Sequence, residues 1–346
     1  MSHKRRRAVQ QLLTTSTGAS GAPYARVFEF RGQQTNEIRQ AVDLTAVSVP
    51  VANHCDWSPD GRFLLSANGT LDIWFFDRGR LRGRVSNPPT VYSDVCDAAF
   101  SPNGRWLALA LNAGPRIAVF PFDLARGRFL GDKFADPAVL PGTIGFGVGW
   151  SPDSAYVGLT TINSPRCQAY TFSDAGFGGA RLEPAVIHAT GMSSIRWAAN
   201  GAVVVCTGNT TSATALRVYP WAAGFGTAVT PSGFVSSTLN GGAWSPDGAW
   251  YATTGSSLLQ VCPYDGSTLG AVISPPDGLP NSGNVVAWSP DGTMIAVAHN
   301  SQPFLTIYAF SNGIFQGKRF LPRYFGPLTL SIATLRCAWR PVTEYT

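Results

Sequence analysis

The feature that most constrains the fold is a turn motif that recurs along the chain of 346 residues. It is an aromatic anchor followed by Ser-Pro-Asp-Gly or a close variant, and successive anchors lie 43 to 51 residues apart. The anchors are Trp57, Phe100, Trp150, Trp197, Trp244, Trp288 and Trp339. Self-similarity at such a period is the signature of repeat architectures. We therefore predict a repeat protein with one supersecondary unit for each anchor.

Each unit has the composition of short strands joined by tight turns. In Ser-Pro-Asp-Gly, Pro fixes φ at the second turn position, Asp caps the turn and Gly accepts a positive φ. An apolar run follows, as in residues 63–67, and then a strand with alternating aromatic side chains, as in residues 71–77. With a weaker fourth strand the unit spans about 45 residues, as a propeller blade does. The sequence predicts an all-β fold, a single seven-bladed β-propeller with four-stranded antiparallel blades.

The two ends of the chain are predicted to share one blade. Residues 26–30 and 38–44 look like the third and fourth strands of a repeat without a first half, and residues 335–341 look like a first half without a second. Joining them would close the ring and remove its open sheet edges. The predicted organisation is a flexible basic N-terminal arm, residues 1–22, followed by the propeller, residues 23–346.

These residues resemble the WD-repeat propeller family from about residue 24 to residue 343. The Trp-Ser-Pro-Asp-Gly turn and the aromatic third strand carry the resemblance. The family's Trp-Asp dipeptide is replaced by Trp74-Phe75 in the first repeat and by Tyr170-Thr171 in the third, and its Gly-His pair is missing. The resemblance implies the propeller fold. The departures imply that the family's buried His/Asp network is absent, and no functional subfamily follows.

The basic charge of the chain is concentrated at its start. Of the net charge of +6, Lys4, Arg5, Arg6 and Arg7 supply +4, which leaves 22 basic (26 minus 4) and 20 acidic residues. Such an arm can contact phosphates or an acidic protein surface, or it can be a solvated terminus. We expect contact with nucleic acid only through this arm. With no apolar signal or membrane-spanning segment, the expected location is the cytoplasm or a virion.

The motif search predicts no catalytic, cofactor-binding or metal site. The histidines His3, His54, His188 and His299 fit no metal or nucleophile motif, so each is interpreted as an ordinary hydrogen-bonded residue. The recurrent acids Asp60, Asp153, Asp247 and Asp291 are interpreted as turn caps. The six cysteines are scattered singly, which argues against a disulfide framework or zinc. Propeller glycosidases and lactonases do assemble sites from several blades, and linear spacing does not reveal such a site.

Four arginines alternate along a predicted outer strand and are candidates for partner binding. Arg78, Arg80, Arg82 and Arg84 would point to one face, where they would either bind an acidic partner or protect the strand edge from other chains.

The function expected from these features is a non-catalytic scaffold for protein-protein interaction and assembly, such as a head or tail component of a phage virion. Its partners would be proteins within a larger assembly, with no membrane and no cofactor. The alternatives are a cytoplasmic WD-repeat-type adaptor and a propeller that binds carbohydrate or another ligand. An enzyme is not expected, and these functional expectations are associational because a fold alone does not define function.

Overall fold

The computed structural model of the chain describes residues 9–17, 23–31, 38–43, 54–77, 80–186, 191–208, 215–234, 238–256, 258–275, 277–279, 282–299, 305–319 and 336–341. In this part of the chain every regular element is a β-strand, as the short apolar runs between turn residues predict. No helical segment in these ranges has the length and hydrophobicity of a membrane span.

The strands follow one another as successive antiparallel hairpins. The first three are β1 (Val9–Thr17), β2 (Pro23–Arg31) and β3 (Ile38–Asp43). The next sheet contains β4 (His54–Trp57), β5 (Phe63–Asn68), β6 (Thr70–Asp77) and β7 (Arg80–Arg84), and the one after it β8 (Val95–Phe100), β9 (Trp106–Leu111), β10 (Ile117–Asp123) and β11 (Arg128–Phe129). A third such sheet contains β12 (Gly145–Trp150), β13 (Tyr156–Thr161), β14 (Cys167–Ser173) and β15 (Gly176–Leu182).

The second half of the chain continues the same pattern. It contains β16 (Met192–Trp197), β17 (Val203–Gly208) and β18 (Leu216–Pro220), then β19 (Leu239–Trp244), β20 (Trp250–Gly255) and β21 (Leu258–Pro263). The last full sheet contains β22 (Gly283–Trp288), β23 (Met294–His299), β24 (Leu305–Ser311) and β25 (Ile314–Arg319), and β26 (Arg336–Trp339) follows. The architecture is an all-β propeller with four-stranded antiparallel blades. In two blades the described residues contain three strands, and isolated bridges such as Val218 with Val229 extend them.

One edge strand of each sheet lies at the centre of the propeller. These innermost strands are β4, β8, β12, β16, β19, β22 and β26. Each contacts its counterpart in the next sheet, and β26 contacts β4, so the contacts form a closed cycle. The strands therefore surround a central channel, while the apolar core lies between neighbouring sheets, where residues such as Leu109 and Val119 are buried.

The anchor tryptophans connect neighbouring blades by a hydrogen bond that we call the indole clamp. In each clamp, the indole Nε1–H donates to the carbonyl oxygen of the residue that precedes the anchor position in the previous sheet. The pairs are Trp57 with Ala338 (3.2 Å), Trp150 with Ala99 (3.1 Å), Trp244 with Arg196 (3.4 Å) and Trp288 with Ala243 (3.2 Å). Within the described ranges, Trp197 Nε1 has no hydrogen-bond partner. The repeated indole thus has a polar role as well as an apolar one.

The Ser-Pro-Asp-Gly turns have the conformation that their sequence predicts. In the first, the Ser58 hydroxyl donates to Asp60 Oδ1 at 2.6 Å and accepts the Phe63 amide at 2.9 Å, while the Arg62 amide donates to Asp60 Oδ1 at 3.0 Å. Gly61 has a φ of 66°. The equivalent bonds recur at Asp153, Asp247 and Asp291. The prediction that these acids cap turns is confirmed.

Strands from both ends of the chain close the ring, but the N-terminal segment contributes three strands instead of the predicted two. Strand β26 pairs with β1, and β1 with β2 and β2 with β3, so residues 9–43 provide three strands and residues 336–339 provide the innermost one. Strand β1 lies within the segment predicted to be a flexible arm. Residues 9–17 of this segment pair with β2 and residues 12–15 also pair with β26, so this part of it lies in the terminal blade.

Candidate active site

One position of the innermost strands carries a small side chain in most repeats and a charge in two of them. In each innermost strand the anchor and the residue two positions before it are buried or nearly so, and the residue between them lies on the opposite face of the strand. We call these residues the central belt: Asp56, Ala99, Gly149, Arg196, Ala243, Ala287 and Ala338. Five of the seven are Ala or Gly. Asp56 and Arg196 therefore stand out as charges at a position that otherwise carries small side chains.

A histidine and an aspartate from neighbouring blades lie in hydrogen-bonding contact near the belt position. His54 Nδ1 lies 2.8 Å from Asp97 Oδ1, and both residues lie three positions before their anchors. The His54 side chain is 18% exposed and that of Asp97 7%. Within the described residues the other ring nitrogen, Nε2, is buried without a hydrogen-bond partner. An orphaned buried nitrogen of this kind needs a partner such as water or a ligand.

The carboxylate of Asp97 is held in its ionised form. Its Oδ1 also accepts the Ala98 amide at 2.9 Å, and its Oδ2 accepts the Val148 amide of the next blade at 2.9 Å. Burial alone would raise the pKa of Asp97, but the charge and hydrogen bond of His54, with the charge of Arg196 and the Val148 amide, lower that pKa below its usual value of 3.8. Asp97 therefore orients His54 as a fixed negative partner.

Asp56 has the opposite electrostatic environment. Its Oδ1 accepts its neighbouring Trp57 amide at 2.8 Å. Burial raises the pKa of Asp56 above 3.8, although the charges of His54 and Arg196 act in the other direction. Within one cluster the pKa of Asp56 is thus raised and the pKa of Asp97 is lowered. Asp56 therefore holds its proton more readily and Asp97 stays an anion, which is a common arrangement in acid-base catalysis.

Arg196 supplies the positive charge of the cluster and lies in β16, which belongs to another blade. Its Nη1 donates to Val148 O at 3.1 Å and to Ile195 O at 2.9 Å. The side chain lies against Gly149, where a Cβ would approach Arg196 Nη1 to 3.6 Å and Ile195 O to 2.6 Å. A glycine at this belt position therefore allows the strands to approach closely enough for Arg196 to reach the cluster.

Five innermost strands carry a bulge at the same place. Five innermost strands shift register four residues before the anchor, at Cys96, Phe146, Ser193, Asn240 and Asn284. The Ser193 hydroxyl donates to Leu239 O at 3.2 Å and Asn240 Nδ2 to Gly283 O at 2.8 Å, each reaching the start of the next innermost strand. Bulges often re-aim side chains next to functional sites. Here the side chains at two of these bulges connect neighbouring innermost strands.

The residues proposed from the sequence as partner-binding lie elsewhere. Lys4, Arg5, Arg6, Arg7 and Arg78 lie outside the described residues, and of Arg80 the backbone alone is described, in β7. Arg82 lies 3.5 Å from Asp77, and Arg84 pairs with Asp72, both acids of its own blade. A bulge opposite Phe75 and Phe76 also interrupts the alternation of this strand. Partner binding by these arginines stays a prediction.

Sequence reasoning missed the cluster because its members are far apart in the chain. Linear motifs assign His54 no role beyond an ordinary hydrogen bond, and they do not include Asp56, Asp97 or Arg196. A signal was present: aligning the repeats on their anchors places Asp56 and Arg196 at a position where the other five repeats have Ala or Gly. Among the described residues, no three His, Cys, Asp or Glu side chains lie close enough to hold a metal ion.

The fold and this cluster define a β-propeller with a buried charged cluster at its innermost strands. The sequence model of the WD domain, G-beta repeat, matches residues 45–74, which with the propeller architecture confirms the resemblance inferred from the repeats. The chain is a WD-repeat-like β-propeller. No curated protein matches the sequence significantly.

Solved structures share the fold over almost the whole chain. A protein from Bacteroides uniformis assigned as a 6-phosphogluconolactonase has a TM-score of 0.69 at 18% identity, covering 90% of this chain and 95% of that one. The periplasmic gluconolactonase of Pseudomonas aeruginosa has a TM-score of 0.66 at 18% identity, covering 96% and 100%. Hydrazine synthase from Kuenenia stuttgartiensis has a TM-score of 0.58 at 16% identity, covering 81% and 80%. At these sequence identities, the similarity shows a shared fold alone.

These findings correct the expected function. The prediction of a non-catalytic scaffold, and with it the expectation that the chain is no enzyme, is contradicted by structural neighbours that are lactonases. The buried charged cluster agrees with this correction. No finding supports a place for this protein in a phage or virion. The error arose because the absence of a linear motif was taken as the absence of a site.

Proposed function

We propose that the chain is a hydrolase that opens the lactone ring of a sugar acid in its central channel. The observation that carries the proposal is the His54–Asp97 pair, with Nδ1 and Oδ1 2.8 Å apart and the opposite nitrogen lacking a partner among the described residues. The likeness to a gluconolactonase and to a protein assigned as a 6-phosphogluconolactonase supports this substrate class.

Each member of the cluster has a role in this reaction. Asp97 accepts the Nδ1–H of His54 and so fixes the tautomer in which Nε2 is a proton acceptor. Nε2 takes a proton from a water molecule as the water oxygen bonds to the lactone carbonyl carbon. The Arg196 guanidinium stabilises the negative charge that develops on the carbonyl oxygen. Asp56, whose pKa is raised by burial, donates a proton to the ring oxygen as its bond to the carbonyl carbon breaks.

The test is lactone hydrolysis by the purified protein. Release of acid from glucono-1,5-lactone and from 6-phosphogluconolactone is followed in a pH-stat against the spontaneous rate. His54→Gln should lower kcat/KM by about 100-fold or more, as loss of a general base does. Asp174→Asn, which alters an exposed ion pair with Arg105, is the matched control and should leave the rate unchanged. No rate above the spontaneous one with either lactone, or an unchanged rate in His54→Gln, would contradict the proposal.

We also propose that the ring contains seven blades. The seven anchors, the seven sheets of the described residues and the closed cycle of contacts between innermost strands support this count. A crystal structure with a different number of sheets around the channel would contradict it.

A further inference from the structure

Two buried cysteines face each other across a blade boundary. Cys167 begins β14 and Cys206 lies within β17, which belong to neighbouring sheets, and the two residues are 39 positions apart in the sequence. Both are 0% exposed and pack in one apolar cluster with Ile195 and Trp197. Their Sγ atoms lie 2.6 Å apart. Non-bonded carbon atoms lie about 3.5–4.0 Å apart, so these sulfur atoms are closer than ordinary packing requires.

The same blade boundary lacks the indole clamp. At four boundaries an anchor indole donates to the previous blade, whereas within the described residues Trp197 Nε1 has no partner. The cysteine pair therefore lies at a boundary between β12–β15 and β16–β18 where the indole clamp is missing. A bond between Cys167 and Cys206 would connect these two sheets covalently.

We propose that Cys167 and Cys206 form a disulfide bond that links the sheet of strands β12–β15 to the sheet of strands β16–β18. The bond requires an oxidant, which we assign to the class of low-molecular-weight disulfides such as oxidised glutathione. One cysteine thiolate attacks the disulfide and releases one glutathione thiol, and the second cysteine thiolate then attacks the mixed disulfide and releases the other. Two protein thiols lose two protons and two electrons, and one glutathione disulfide is reduced to two thiols.

The surroundings of the pair determine when this exchange occurs. Burial raises the pKa of Cys206 well above its usual value, and the hydrogen bond and charge of Cys167 act in the same direction. Since the thiolate is the reacting form, exchange is slow in the folded protein and fast while the two blades are still apart. The bond therefore forms during folding and is afterwards protected from reductants. This inference is independent of the proposed lactonase activity.

The direct test is peptide mapping of the full chain refolded in a glutathione redox buffer. The protein is denatured in iodoacetamide without reductant and digested with trypsin. The expected product is the peptide of residues 167–181 joined to the peptide of residues 197–217, lighter by two hydrogens than the two thiol peptides together. Alkylation of both cysteines, a glutathione adduct on either, or a link to another cysteine would overturn the proposal.

A stability measurement separates the bond from the packing of the two side chains. The wild-type protein refolded with dithiothreitol should melt about 5 °C lower than the protein refolded in the redox buffer. Cys167→Ala and Cys206→Ala should lose this difference, whatever their own melting temperatures. Cys262→Ala, at an equally buried cysteine of another blade, should keep it. The same difference in all four proteins, or none in the wild type, would overturn the proposal.

Discussion

Arg340 and Gln11, which are 329 positions apart in the sequence, are joined by a hydrogen bond of 2.9 Å from Nη1 to Oε1. Both residues are buried, and Arg340 Nε also donates to Gly61 O at 2.7 Å. The guanidinium carbon lies 4.9 Å from the ring centre of Phe76. Arg340 occupies the place that Ser has in most of the repeats, and there it connects β1, β26 and the first Ser-Pro-Asp-Gly turn.

We expect Arg340→Ala to destabilise the whole protein. The substitution leaves the Gln11 and Gly61 oxygens without this donor and removes a cation-π contact, at a cost of about 2–4 kcal/mol. Urea unfolding measures the change. Arg105→Ala, at an exposed ion pair, is the control and should cost less than about 1 kcal/mol. Equal effects of the two substitutions would show that Arg340 does not hold the ring closed.

Asp56→Asn and Asp97→Asn should change stability in opposite directions at pH 7. The pKa of Asp97 is below 3.8 in the folded protein, so its stabilising effect is present above pH 3.8 and is lost as the pH falls through the lowered pKa. The pKa of Asp56 is raised, so its ionisation destabilises the folded state as the pH rises from 3.8 through the raised pKa.

The two variants are compared with the wild type by denaturant unfolding at pH 7 and pH 3. At pH 7 Asp97→Asn should be less stable than the wild type, and Asp56→Asn more stable. Both differences should shrink at pH 3, because the unfolded chain protonates both carboxyls below pH 3.8 and the folded protein has by then protonated Asp56. A change of the same sign in both variants at pH 7 would refute the electrostatic assignment of the cluster.

Trp288→Phe should cost about 1 kcal/mol more than Trp197→Phe. Both substitutions keep an aromatic ring and remove the indole nitrogen, but Trp288 Nε1 donates to Ala243 O at 3.2 Å and Trp197 Nε1 has no partner among the described residues. The difference between the two unfolding free energies isolates the indole clamp from the loss of ring area. Equal costs would mean that the clamp contributes nothing to stability.

Gly149→Ala should lower both stability and lactone hydrolysis. The added Cβ would lie 2.6 Å from Ile195 O and beside Arg196, so strands β12 and β16 must separate. We expect a cost of about 1–3 kcal/mol, as for other overpacked sites. Gly179→Ala, in β15, meets nothing within 4 Å and serves as the control, with little change in either measurement. Activity retained in Gly149→Ala would place the reaction elsewhere.

The sequence predicted the local structure of this fold well. A Ser-Pro-Asp-Gly turn is specified by residues that touch one another within the turn, so the bonds of Ser58 and Asp60 follow from four adjacent letters. Strand β1 was missed because its Thr- and Ser-rich sequence has a weak apolar pattern, and its position depends on pairing with β26 at the other end of the chain.

The candidate site could not be predicted in the same way. His54 meets Asp97 only after two blades have packed, and Arg196 comes from a strand 99 positions further along the chain than Asp97 (196 minus 97). The spacing of residues along the sequence does not show which residues of different blades come into contact. The alignment of repeats carries part of this information, since charges at belt positions occupied elsewhere by Ala and Gly mark two of the three blades concerned.

The shared terminal blade sets the order in which the protein can be completed during synthesis. Strand β1 leaves the ribosome early, yet its partner on the channel side, Arg336–Trp339, comes last of all the described strands. Until those four residues appear, β1 presents an unpaired edge and β4 and β22 have no neighbour on one side. A nascent or truncated chain therefore exposes an edge on which chaperones, proteases or other chains can act, and the last strand removes it.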